Sequence, residues 1–343
     1  MVAAVAHGSG GVLNQGHIFA SGTCSILSID NCEITGTHNP LIGGEFDFRN
    51  GIDGPLAYDP VSGRLYVSAT SDIYYYTNPP NMSLVRMPVS ISAGAQINAI
   101  LIDPLGEWIY WSENFSLKRA PLSSPSLGTE YIAQGVGEVG LASHIALDSS
   151  GEHIYWSDLY NNRISRVRVN GTSPSVTVLF SNETTTTTTV SNPSGVAVCK
   201  DKLVFSDSGN GVIYTSSIDG SSSSTLYNGG DGVFSPYSVV CADVKGMVVY
   251  WTDTDGIYGG FLLPAYQQEE QEPPFLVVST ENNSSSSSCL IKYLSVNPNR
   301  ATTCAVSTSA SSASSPNNQQ QERLGHHVLW FVIVCLFILE KLS

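Results

Sequence analysis

The sequence predicts an all-β protein, a six-bladed β-propeller closed by one strand from its C-terminal end and three from its N-terminal end. Three observations lead there. A short aromatic strand motif recurs at near-constant spacing, an apolar run precedes nearly every copy, and the two ends of the repeated region carry complementary deficits.

The clearest copies of the motif are Ile109-Tyr110-Trp111-Ser112-Glu113, Ile154-Tyr155-Trp156-Ser157-Asp158, Leu203-Val204-Phe205-Ser206-Asp207 and Val249-Tyr250-Trp251-Thr252-Asp253. Weaker copies stand at Leu65-Tyr66-Val67-Ser68 and Ile18-Phe19-Ala20-Ser21. Their second residues are separated by steps of 47, 44, 45, 49 and 46, so the chain holds six similar units. A period of that length fits four short strands and their turns. A helical solenoid would instead space apolar residues by a helical turn and use little Gly or Thr.

Each unit is expected to open with a buried strand. These runs are Leu56 to Asp59, Ile100 to Asp103, Ile145 to Asp148, Val196 to Cys199 and Val239 to Cys241; several end in turn formers such as Asp59-Pro60 and Asp103-Pro104. The motif copy at residues 18–21 has only small, Gly-rich sequence before it. At the far end, Ile291 to Val296, followed by Asn297-Pro298, supplies an opening strand with no motif copy after it. Placed innermost in a blade whose other strands are residues 17–21, 24–30 and 32–36, it closes the ring and removes open sheet edges.

Within a unit, Ile154 to Asp158 is followed by Asn161-Asn162, a hairpin signal, and by Arg163-Ile164-Ser165-Arg166-Val167, which alternates as a half-buried strand does. Ile213 to Gly220 and Ser25 to Asp30 are the equivalent third strands. These residues resemble the YWTD, or low-density lipoprotein receptor class B, propeller family. Ile154 to Asp158 with Arg163-Ile164-Ser165-Arg166 and Asn170-Gly171 follows that family's consensus, Tyr250 to Asp253 reproduces its four letters, and the likeness spans residues 54–300. The resemblance implies an extracellular protein-interaction module. Tyr110, Trp111, Tyr155, Trp156, Phe205, Tyr250 and Trp251 would pack between blades, and Asp158, Asp207 and Asp253 would tie turns. The sequence after the ring contains no Cys-rich growth-factor-like module, so the ligands of lipoprotein or Wnt-pathway receptors are not implied.

Composition narrows the function. Charged residues are only 13% of the chain, and 15 basic against 29 acidic residues give a net charge of −14, which argues against phosphate neutralisation and therefore against nucleic-acid binding. Seven cysteines include no CxxC pair. Setting aside Cys335 in the apolar tail, the pairs requiring least chain travel are Cys24 with Cys32, Cys199 with Cys241, and Cys289 with Cys304, in an oxidising compartment. Glycosylation triplets stand at Asn81, Asn114, Asn170, Asn182, Asn282 and Asn283.

The Tyr-Trp pairs recur at one position of each good repeat, which points to core packing rather than a stacking platform for sugars or bases. Asp59, Asp103, Asp148 and Asn297 occupy equivalent positions and are weak candidates for calcium, although turn formation accounts for them too. An axial calcium would suit a six-bladed hydrolase of the gluconolactonase or paraoxonase type. The histidines at 7, 17, 38, 144 and 153 form no paired constellation and there is no G-x-S-x-G or H-E-x-x-H motif, so a non-catalytic binding role is expected, with no cofactor. Arg163, Arg166 and Arg168 are read as a small basic stripe on one strand face. The acidic residues 267–272 and the Thr and Ser runs are read as loops.

The expected layout is a disordered or truncated segment at 1–11, a propeller at 12–300, a Ser/Ala/Gln-rich linker at 301–327 and a hydrophobic membrane-attachment signal at 328–343. The twelve apolar residues 328–339 are short for a spanning helix, which needs roughly 20. Small residues around Ser311 and Ser312, a polar spacer and the apolar end fit a lipid-anchor signal, with a short helix as the alternative. Residues 1–7 lack a charged, apolar leader, so a signal peptide is expected upstream of this sequence. The reading is a cell-surface propeller that binds a protein ligand.

Overall fold

Aromatic and β-branched residues fill the repeats, and in the computed structural model they form six four-stranded antiparallel sheets. The structure describes residues 18–22, 26–30, 33–37, 54–69, 71–76, 84–103, 105, 107–170, 175–183, 188–242, 248–262, 274–279 and 291–296. The first strands are β1 (Ile18–Gly22), β2 (Ile26–Asp30) and β3 (Glu33–Thr37). Blade 1 is β4 (Leu56–Tyr58), β5 (Leu65–Ala69), β6 (Asp72–Tyr76) and β7 (Leu84–Arg86). Blade 2 is β8 (Ile97–Ile102), β9 (Trp108–Glu113), β10 (Ser116–Pro121) and β11 (Glu130–Gln134). Blade 3 is β12 (Ala142–Leu147), β13 (His153–Asp158), β14 (Arg163–Arg168) and β15 (Thr177–Ser181). Blade 4 is β16 (Pro193–Cys199), β17 (Lys202–Asp207), β18 (Val212–Ser217) and β19 (Ser223–Tyr227). Blade 5 is β20 (Val239–Ala242), β21 (Val248–Asp253), β22 (Gly256–Phe261) and β23 (Phe275–Ser279).

The last strand among the described residues, β24 (Ile291–Val296), pairs antiparallel with β1, setting Ile18 opposite Val296 and Ala20 opposite Leu294. Blade 6 therefore has the order β24-β1-β2-β3, the one-plus-three closure expected from the sequence. Its strands differ from expectation only at their limits. Each innermost strand lies against the innermost strands of both neighbouring blades, β24 against β4 included, so the ring is complete.

Packing between blades follows from strand geometry. Adjacent residues point to opposite faces of a sheet, so the motif's Tyr and Trp face different neighbours. Trp111 shares a cluster with Tyr66 of blade 1, Trp156 with Tyr110 of blade 2, and Phe205 with Tyr155 of blade 3. Trp251 stacks on Tyr227 of blade 4 with centroids 5.2 Å apart. All four large rings at this position are buried. Removing one such side chain would cost about 3–5 kcal/mol.

The next motif residue staples one blade to the next. Ser112 Oγ donates to the Ala142 carbonyl at 2.7 Å, Ser157 Oγ to Ser194 at 2.6 Å and Ser206 Oγ to Tyr237 at 2.9 Å. The acceptors are at or just before the innermost strand of the following blade, where β12 and β16 carry register shifts. Such shifts take carbonyls out of the ladder and leave them for a neighbour. At the closure, Tyr58 N–H donates to Ser295 Oγ at 3.0 Å, so β24 is tied to blade 1 as well as to β1.

Candidate functional site

The motif ends in a carboxylate, and its burial decides what it can do. Asp158, Asp207 and Asp253 are buried at the end of their strands. A buried carboxylate needs donors for both oxygens. Asp158 Oδ1 accepts from the Leu141, Tyr160 and Asn161 N–H groups at 3.0, 3.0 and 3.1 Å; Oδ2 accepts from Asn161 Nδ2 at 2.7 Å and Arg163 Nε at 3.0 Å. Asp207 likewise takes the N–H groups of Ser191, Asn192, Gly209 and Asn210. Asp253 takes those of Phe234, Ser235 and Thr254. Each acid thus ties the connector entering its blade to that blade's second hairpin turn. These turns and connectors lie at one end of the strands and form one face of the ring.

Blade 2 varies the device. Glu113 Oε2 accepts from the Trp111 indole at 2.9 Å, while Oε1 accepts from Ser92 N–H, Ser92 Oγ and the Lys118 ammonium. Burial alone would raise its carboxyl, but the hydrogen bonds from Lys118, Ser92 and Trp111 win and hold it below the ordinary carboxylate range. Lys118 is 3% exposed and lies over the Tyr131 ring.

Between these two anchors sits an exposed patch braced by hydrogen bonds. Residues 135–140 wind into a turn in which the Glu138, Val139 and Gly140 N–H groups all donate to the Gly135 carbonyl. Arg163 Nη2 donates to the Gly137 and Glu138 carbonyls at 2.7 Å each, and Asn161 Nδ2 to Val136 at 2.9 Å. From this bolted surface project Phe115, Val136 and Tyr160, exposed by 39%, 42% and 62%. Phe115 and Tyr160 meet edge to face with centroids 6.1 Å apart. Phe234 is exposed on the connector into blade 5, and Glu138, Glu183 and Asp231 are exposed carboxylates on connectors of the same face.

The other sequence candidates are placed as follows. Asp59 accepts from the Val61 N–H and Ser62 hydroxyl, Asp103 from the Leu105 N–H, and Asp148 from Ser150, Glu152 and His153, so each is engaged in its own turn at the opposite end of the strands. Among the described residues no three metal-ligating side chains cluster. Cys199 and Cys241 form a disulfide between the innermost strands of blades 4 and 5. Asn114, Asn170 and Asn182 are all exposed. Cys24, Cys32, Cys289, Cys304, Asn81, Asn282, Asn283, Asn297, Ser311, Ser312, the acidic residues 267–272 and the tail lie outside the described residues.

The basic stripe needs correction. Arg163 is an odd number of residues from Arg166 and Arg168 in a strand without a register shift against β13, so it faces the other way. It reaches the connector before its own blade, whereas Arg166 donates to the Ile218 carbonyl of blade 4 and Arg168 to Glu152.

Sequence reasoning missed the patch and one half-buried histidine. The signal for the patch was available. Asn114-Phe115 and Leu159-Tyr160 put apolar residues into hairpin turns whose equivalents in blades 4 and 5, Ser208-Gly209 and Thr254-Asp255, are polar or small. His144, on β12, packs edge-on against Tyr237 at 5.4 Å, and its Nδ1 lies 2.7 Å from the Ser194 carbonyl. Burial pushes its pKa down to about 4, against the opposing pull of that hydrogen bond.

The pattern for the low-density lipoprotein receptor repeat class B matches residues 152–198, which include the Asp158–Arg163 turn. A chain from the crystal structure of a nidogen/laminin complex is similar in fold, with a TM-score of 0.56 at 15% identity, covering 82% of this chain and 98% of that one. A putative TolB from Agrobacterium tumefaciens has a TM-score of 0.52 at 12% identity, covering 79% of this chain and 90% of its own. No curated protein matches the sequence. With one repeat matched, its acids tying turns and its ring closed, the chain is a six-bladed β-propeller that carries a low-density lipoprotein receptor class B repeat at residues 152–198 and is similar in fold to the propeller chain of the nidogen/laminin complex.

Proposed function

We propose that this chain is an extracellular, membrane-attached propeller that binds a protein ligand, without catalysis, on the face that carries Phe115, Val136 and Tyr160. The observation that carries the reading is the set of hydrogen bonds that braces that patch. An exposed aromatic pair on a surface already bolted by Arg163 and Asn161 loses little conformational freedom on docking, which is what makes aromatic anchors effective. Exposed carboxylates at Glu138, Glu183 and Asp231 on that face suit a partner with basic residues around an apolar centre. The carboxylates that an axial metal hydrolase would use, Asp59, Asp103 and Asp148, are engaged in turns, which favours binding over chemistry. Entry to the secretory route and attachment through the apolar residues 328–339 complete the proposal; release of the protein from intact cells by phosphatidylinositol-specific phospholipase tests the anchor.

The face is tested by photo-crosslinking on living cells. A photoreactive residue is placed at Val136 or, on the opposite face, at Val61, which is 67% exposed. Discrete protein adducts from position 136, lost when Phe115→Ser and Tyr160→Ser are added, are expected. Adducts from position 61 alone would move the site to the other face, and none from either would remove the binding reading.

A further inference from the structure

The glycosylation triplets can be told apart once the chain is folded. Asn170 Oδ1 is occupied by Arg119 Nη1 at 2.9 Å, beside the stem of blade 3. Asn182 stands just past β15. Asn114 is different. It forms, with Phe115, the two-residue turn between β9 and β10, where Glu113 pairs with Ser116. Its backbone is left-handed, with φ of +48°, a conformation Asn tolerates, and its side chain is exposed and makes no hydrogen bond among the described residues. The triplet Asn114-Phe115-Ser116 therefore sits at the tip of a turn, and its middle residue is one half of the exposed aromatic pair.

We propose that Asn114 is an N-glycosylation site whose first sugars lie over Phe115 and Tyr160, so that its occupancy sets whether this sector of the face is open. In the modification the Asn114 amide nitrogen forms one bond to the anomeric carbon of a polyprenyl-diphosphate-linked oligosaccharide. The carbon–oxygen bond to the diphosphate breaks, and the amide proton leaves with the released polyprenyl diphosphate. The geometry then favours coverage. A sugar attached at residue 114 starts one residue from Phe115, and the C–H face of a pyranose is an apolar partner for a ring edge-packed on its neighbour. The glycan is thus the occupant of an apolar surface that would otherwise face water. The modification stands on its own observations; only its effect on a protein partner rests on the docking-face reading.

The experiment uses the full chain secreted from a eukaryotic host behind a supplied leader peptide. Peptide N-glycosidase release in heavy-oxygen water marks each occupied Asn by mass, and Asn114 is expected to carry the mark. Ser116→Ala should abolish it and Ser116→Thr should keep it. Coverage is read by tetranitromethane nitration of Tyr160, with Tyr131, 56% exposed on β11, as the internal reference. Enzymatic release or Ser116→Ala should raise Tyr160 nitration several-fold while Tyr131 is unchanged. Release by enzyme tests coverage even if the variant fails to fold. An unmarked Asn114 overturns the site. A marked Asn114 with Tyr160 nitrated equally before and after release overturns the coverage. Neither result touches the crosslinking test at Val136, so the two ideas fail separately.

Discussion

Blades 2 and 3 meet the same requirement, a carboxylate buried at the end of the second strand, in two ways that differ by one methylene. Asp158 is short, stays at the strand end and gathers its donors from the turn and the entering connector, with Arg163 at the first position of β14. Glu113 reaches back into the blade, bonds Trp111 of its own strand, and draws its cation from Lys118, two positions further along β10. Trp156, with no acid in reach, donates to the Val139 carbonyl instead. The short acid ties its turn; the long one ties the core. The difference leaves the blade 2 turn to two residues, Asn114 and Phe115, tied to neighbouring segments by backbone alone: Asn114 N–H donates to the Gln96 carbonyl at 3.4 Å and the Phe115 carbonyl accepts from Gly135 N–H at 2.8 Å.

The comparison ranks its own tests. Lys118→Met should be the most damaging change, leaving Glu113 buried and unpaired at about 3–5 kcal/mol, and adding Glu113→Gln should recover part of that in urea unfolding. If the single and double variants unfold alike, the pair is not coupled and the two blades do not differ as described.

Acid should separate the blades next. Below pH 6.5 the unfolded chain protonates its histidine while the folded protein refuses the proton at His144 down to about pH 4. Blade 3 is thus destabilised as pH falls through that window, by up to about 3 kcal/mol. Glu113, whose folded pKa lies below 4.5, stabilises above the carboxylate range and loses this contribution only on further acidification. Hydrogen exchange should therefore show β12 loosening at a higher pH than β9. The reverse order would mean that His144 is not held neutral by burial.

Asp158→Asn should cost about 2 kcal/mol, less than Lys118→Met, because Arg163 keeps its two carbonyl partners and partial access to water. Ser157→Ala should cost the least, about 1 kcal/mol, for the lost hydrogen bond to Ser194. A Ser157→Ala loss as large as that of Asp158→Asn would move the weight from the turn to the staple between blades.

The ring was legible in the sequence because its cause is periodic. One position per repeat must fill the space between sheets, and Trp111, Trp156, Phe205 and Trp251 mark it in plain letters. The closure was legible too, since an opening strand without followers and followers without an opening strand leave one arrangement. The surface was not periodic and so was not legible. Phe115 and Tyr160 come from different repeats and meet only because neighbouring blades bring their turns together. The Glu113–Lys118 pair was hidden for another reason: a Glu in place of the repeat's Asp reads as a conservative change until its reach is measured. The Arg residues of β14 were misread through parity, which a strand enforces more strictly than a glance at spacing does.

The pairing of Ile18 with Val296 also sets a timetable. During synthesis blades 1 to 5 can each complete themselves soon after they leave the ribosome, because their four strands are consecutive. The strands at residues 18–37 are made first and finished last, waiting as an open-edged trio until residues 291–296 emerge. A chain interrupted anywhere before that point would present a naked strand edge to whatever nascent chain or chaperone is nearest, so the edge of this trio stays open until residues 291–296 are made.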